Sequence, residues 1–120
     1  MSPLVEFLVA FLLIPLLDAP WLAYQSSASA PMWRAIQGSS GFARWWPAII
    51  VYVALAFLLT QQTSVLGAAL HGSAVYAVYD FTNLAVFKNY ELSFAIQDTL
   101  WGGVLFAVAY WILEKLRSSL

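Results

Sequence analysis

Residues 45–79 contain no Asp, Glu, Lys or Arg, and their only polar break is Thr60-Gln61-Gln62-Thr63-Ser64. A run of that length without charge cannot present a solvated face to water. It can supply two membrane-crossing helices joined by a tight turn, since a crossing of ~30 Å takes about 20 apolar residues. The rest of the 120-residue chain agrees: 62% of it is hydrophobic and 9% is charged, where a soluble domain carries about a quarter charged. A disordered chain and a nucleic-acid binder both need far more charge and are excluded. A soluble enzyme is disfavoured, because so little polar surface cannot cover so much apolar mass. The chain has no cysteine, which excludes disulfides, thiolate metal sites and cysteine catalysis.

The expected fold is therefore all-α and integral to a membrane. One domain over 1–120 forms an antiparallel bundle of four transmembrane helices, with spans near 4–24, 45–60, 65–87 and 92–113. Residues 25–45 read as a loop rich in Ser and Gly, except that 31–37 fit a short interfacial helix with Met32, Trp33 and Ile36 on one side and Arg34 exposed. That helix reads as an interfacial anchor more readily than as a lid. Pro15 and Pro20 are expected to kink or unwind the second half of the first span. Ala28-Ser29-Ala30 has the spacing of a signal-peptide cleavage site, but Glu6 stands where a basic residue belongs and Asp18 interrupts the apolar run, so a retained span is expected.

The depth of the acids carries the functional signal. At 1.5 Å per residue, Asp18, Asp80 and Asp98 each fall roughly 9–10 Å inside the same membrane surface, and Tyr52 falls at the same level. Helical phase places Tyr76, Asp80 and Asn83 on one face of the third span, Asp98 and Trp101 on one face of the fourth, and Asp18 and Trp21 on one face of the first. Carboxylates are costly toward lipid, so these faces should point into the bundle. No Lys or Arg lies at that depth, so the layer is expected to hold a proton, a cation or a water cluster. The plainer reading is that the acids only bridge helices, at about 1 kcal/mol per hydrogen bond. His71 lies half a turn from Asp80 in phase and is expected to donate an interhelical bond rather than join the layer. The spacing of Gly67, Gly72 and Ser73 suits close helix packing, either within the bundle or in a homo-oligomer. The sequence contains no phosphate loop, HExxH, GxSxG or CxxC.

The run Tyr76-Ala77-Val78-Tyr79-Asp80-Phe81-Thr82-Asn83-Leu84-Ala85, followed by Asp98-Thr99-Leu100-Trp101-Gly102, resembles a family of small membrane proteins catalogued as domain of unknown function 2177. Asp18-Ala19-Pro20-Trp21-Leu22, Trp46-Pro47-Ala48 and Tyr52 are similar to the family pattern too, so the likeness covers nearly the whole chain. Val86 and Gly103 stand where the family pattern is expected to have Thr. The resemblance implies four transmembrane helices, and a signature site containing Asp18, Asp80, Asn83, Asp98 and Trp101.

Three functions compete. The leading one is a multi-pass protein of the lipid bilayer, not an enzyme, whose buried acidic and aromatic site binds or passes a small solute, cation or proton. Its site would comprise Asp18, Trp21, Tyr52, Tyr76, Tyr79, Asp80, Asn83, Asp98 and Trp101, with no metal and no cofactor assigned. The second is a membrane enzyme on a lipid or isoprenoid, with Asp80 and Asp98 as general acid and base. The third is an assembly subunit of a larger membrane complex, in which the acids are interhelical bonds and the protein is unstable without its partner.

Overall fold

The computed structural model describes residues 1–119 and is all-helical. Its elements are α1 (Pro3–Ala28), α2 (Ala30–Gln37), α3 (Pro47–Thr60), α4 (Val65–Val86) and α5 (Leu92–Ser119). Local chemistry sets most of the boundaries. The Ser2 hydroxyl accepts from the Val5 amide with Pro3 in the first turn of α1, and Ser64 caps Gly67 in the same way at the start of α4. Each satisfies an amide that the helix itself leaves free. Gly38 ends α2 at φ 83°, a left-handed position that suits glycine.

Three features differ from the sequence-based expectation. First, α1 extends to Ala28, through Ser26 and Ser27, which read as loop. The Ser26 hydroxyl bonds back to the Ala23 carbonyl and that of Ser29 to the Gln25 carbonyl, so these residues serve the helix end instead of ending it early. Second, α1 remains helical through Pro15 and Pro20, where a kink or unwinding is expected, so the segment does not unwind. Third, α5 continues past Leu113 to Ser119.

Two helices, α1 and α5, are long and apolar enough to cross a membrane, where four spans were expected. Of the others, α3 is apolar but has 14 residues, and α4 has 22 residues interrupted by His71, Ser73, Asp80 and Asn83. The pattern of burial on α1 is inverted relative to a soluble helix. Its buried residues are Ala10, Ile14 and Asp18, while Leu12 and Leu16 are 70% and 72% exposed. A carboxylate turned inward and leucines turned outward is the arrangement that hydrocarbon surroundings demand.

Helix α4 lies directly on α5. A Cβ on Gly72 would collide with the Gly102 carbonyl and the Phe106 side chain, and one on Gly103 would collide with the Ser73 hydroxyl. Gly72 and Ser73, whose spacing suits packing within the bundle or in a homo-oligomer, make a close contact within the chain. Gly67 lies against its own cap, Ser64. The apolar core joins Ile14 of α1, Leu59 of α3 and Phe106, Leu105 and Leu113 of α5. At one end of the bundle, Arg117 pairs with Glu6 and Glu114 and also donates to the Thr60 carbonyl. The opposite end is closed by α2, whose Met32 is buried against Tyr90 and Ala95, with Trp33 and Ile36 packed beside it and Arg34 exposed.

Candidate functional site

Between these ends lie the three aspartates, all buried: Asp18 is 4% exposed, Asp98 7% and Asp80 0%. Among the described residues no ion pair reaches any of them. Their partners are neutral aromatic donors instead. The Trp101 indole donates to Asp18 Oδ1 at 2.7 Å, and the Tyr52 hydroxyl to Asp18 Oδ2 at 2.7 Å. The Trp21 indole donates to Asp98 Oδ1 at 2.9 Å. The Tyr90 hydroxyl donates to Asp80 Oδ1 at 2.8 Å.

Geometry explains why the indoles serve this layer. Trp21 and Asp18 are one turn apart on α1, and Asp98 and Trp101 are one turn apart on α5. Each helix therefore offers an acid and an indole on one face. The rings of Trp21 and Trp101 stack at 5.8 Å with 20° between their planes. From that stack each N–H reaches across to the acid of the other helix. The result is a reciprocal crossing, α1 donor to α5 acid and α5 donor to α1 acid. Charge-assisted bonds of this kind are among the stronger ones, and the low dielectric around them adds to their worth.

Asp80 is satisfied on one side only. Its Oδ2 is buried and has no hydrogen-bond partner, and the Thr99 hydroxyl is likewise unpartnered. Thr99 and the Asp98 carboxyl are the other polar neighbours of Asp80, and the Thr99 hydroxyl closes no bond to it. Two neighbouring carboxyls can be joined only by a proton, a water or a cation, since neither ionised group is a donor. The three carboxyls do not converge with metal-ligand geometry among the described residues.

Tyr90 was not anticipated from the sequence, where 88–91 reads as a polar connector. It is 5% exposed, packed edge-on against Trp33 and Phe94. Burial, and then the Asp80 carboxylate, push its phenol well above the usual range, so it stays protonated and remains the donor. A tyrosine lying between Asn89 and Glu91, next to the start of a helix, was the available signal.

The other expected site residues divide. The Tyr76 ring lies against Gly102 and packs on the core beside the layer. The Asn83 side chain lies near Tyr79 and Tyr90. Tyr79 turns outward, with 51% of its surface exposed, because it lies ~100° around the helix from Asp80. Among the described residues His71 makes no interhelical bond. It is exposed, and its Nδ1 pairs with the Gly67 carbonyl of its own helix at 2.7 Å.

A cleft of about 110 Å³ opens between the last turn of α1 and the first turn of α5, and Trp21 forms part of its wall. It brings the surface to the far side of the indole that holds Asp98.

An all-helical bundle with leucine outside, and with carboxylates inside held by indoles and phenols, defines a protein built for the bilayer around a buried acidic-aromatic network. The sequence places it within a family: residues 3–113 match the model described as predicted membrane protein (DUF2177), and the chain belongs to that family. Neither a curated protein nor a solved structure matches it.

Proposed function

We propose that the chain is a multi-pass membrane protein, a four-span antiparallel bundle, whose acid layer binds or passes a small solute, cation or proton, and that a proton held between Asp80 and Asp98 is the form the geometry favours. The unpartnered, fully buried Oδ2 of Asp80, on a carboxyl that neighbours Asp98, carries this reading. A shared proton gives that oxygen a bond and spares two neighbouring carboxylates their mutual repulsion. The engagement of both Asp18 oxygens by Trp101 and Tyr52 makes Asp18 an anchoring acid rather than a mobile one. The short α3 crosses as the third partner of α1 and α5 in this reading, and a thinner local bilayer accommodates it.

The role is binding or conduction rather than catalysis. The cleft is walled by Trp21, and neither Asp80 nor Asp98 lines it, which supports this reading. The test is infrared spectroscopy of the protein in lipid, wild type beside Asp80→Asn, together with proton uptake by vesicles after an acid jump. The expected result is a protonated-carboxyl band that the variant lacks, and uptake that falls at least tenfold with insertion unchanged. Identical spectra and identical uptake would sink the proposal.

A further inference from the structure

The cleft at the acid layer's outer side has a composition that the proton reading does not use. Three aromatic walls meet there: Trp21 and Tyr24 from α1, with ring centroids 5.7 Å apart and planes tilted by 36°, and Phe94 from α5. One carboxylate, Glu91, stands at the rim, and Gln25, Ser29, Ser93 and Gln97 supply the neutral polar lining. No basic side chain lines the cleft. Aromatic faces beside a carboxylate attract a cation through the ring quadrupole and the full negative charge together. They hold it without demanding hydrogen bonds from it, which suits a methylated ammonium better than a hydrated metal ion.

The helix termini agree. The last turn of α1 brings the negative end of its dipole to the cleft, and at the start of α5 the whole charge of Glu91 outweighs the positive end, worth about half a charge. Size agrees as well. A volume of about 110 Å³ is somewhat less than the ~150 Å³ cavity known to accept benzene, so it takes an ammonium head and not the body of a lipid.

We propose that the cleft between the end of α1 and the start of α5 is a binding site for a small organic ammonium group, with Trp21, Tyr24 and Phe94 as its walls and Glu91 as its counter-charge. The group could belong to a free amine or to a lipid headgroup, since the chemistry is shared.

The probe is tetramethylammonium chloride, titrated calorimetrically into the full chain in a maltoside detergent, with sodium chloride as the ionic-strength control. Saturable binding is expected for the wild type. Glu91→Gln and Tyr24→Ala should each weaken it about tenfold, the loss of one charge or one ring wall. Both side chains are exposed, so neither substitution threatens folding. Asp80→Asn should bind tetramethylammonium as the wild type does, which separates this site from the acid pair. Repeating the titration in nanodiscs of phosphatidylcholine and of phosphatidylglycerol distinguishes the sources. Competition confined to phosphatidylcholine assigns a headgroup; equal binding in both assigns a free amine. No saturable heat, or binding unchanged in both Glu91→Gln and Tyr24→Ala, overturns the proposal.

Discussion

The chain holds its carboxylates in two different ways. At one end, Glu6 and Glu114 meet Arg117 in ordinary ion pairs at 3.2 and 3.3 Å, in a setting still partly open to the surroundings. In the central layer, Asp18, Asp80 and Asp98 meet no basic side chain among the described residues and take indole and phenol donors instead. A positive partner fixes a carboxylate in its ionised form. A neutral donor lowers the cost of burying it and leaves its charge free to change. The first arrangement closes a helix bundle; the second keeps acids in play inside it.

The largest test of this contrast is the double change Trp21→Phe with Trp101→Phe. Phenylalanine retains an aromatic ring in the stack and removes both N–H donors, so Asp18 and Asp98 each lose a charge-assisted bond. The expected loss is about 2–4 kcal/mol, from ~1–2 kcal/mol per bond, read by SDS titration followed by circular dichroism. The two single variants should each lose more than half of that sum, because the crossing ties both acids to one stack. Strict additivity would mean that the crossing is not a unit.

Next comes Tyr90→Phe, which leaves fully buried Asp80 without any donor. Destabilisation of about 1–3 kcal/mol is expected by the same titration. An accompanying strengthening of the protonated-carboxyl band would sharpen the comparison, because an acid deprived of its donor should retain its proton more firmly. No change in either measurement would show that Tyr90 does not support Asp80.

The smallest effect is expected at the paired end. Arg117→Met keeps much of the side chain's bulk and should cost about 1 kcal/mol, diminished further by high salt. A larger loss than that of the Trp pair would reverse the ranking of the two regions.

Much of this was legible in the sequence, for a physical reason. Depth and phase are properties of a regular helix, so spacing alone puts Asp18, Tyr52, Asp80 and Asp98 at one level, with Trp101 on the face of Asp98 and Trp21 on that of Asp18. Rotamers and tertiary reach are not periodic. Tyr90 reaches back ten residues to Asp80 from a connector, and nothing in its spacing marks it. The exchange of donors between Trp21 and Trp101 depends on two rings finding each other across helices. His71 and the serines at the end of α1 went astray for a shared reason: short polar side chains can satisfy themselves on their own helix, and sequence does not show which choice they make. The spacing of Gly72 and Ser73 correctly signals a close helix contact, but not whether the second helix belongs to the same chain.

That contact reaches beyond packing. Asp80 lies two turns along α4 from Gly72, and Asp98 lies one turn along α5 from Gly102. With backbone meeting backbone between them, the gap between the two acids is governed by the absence of two methyl groups. Restoring either would act as a spacer, prising the carboxyls apart with no change to a single titratable residue. The acid pair is in this sense calibrated by what its helices lack.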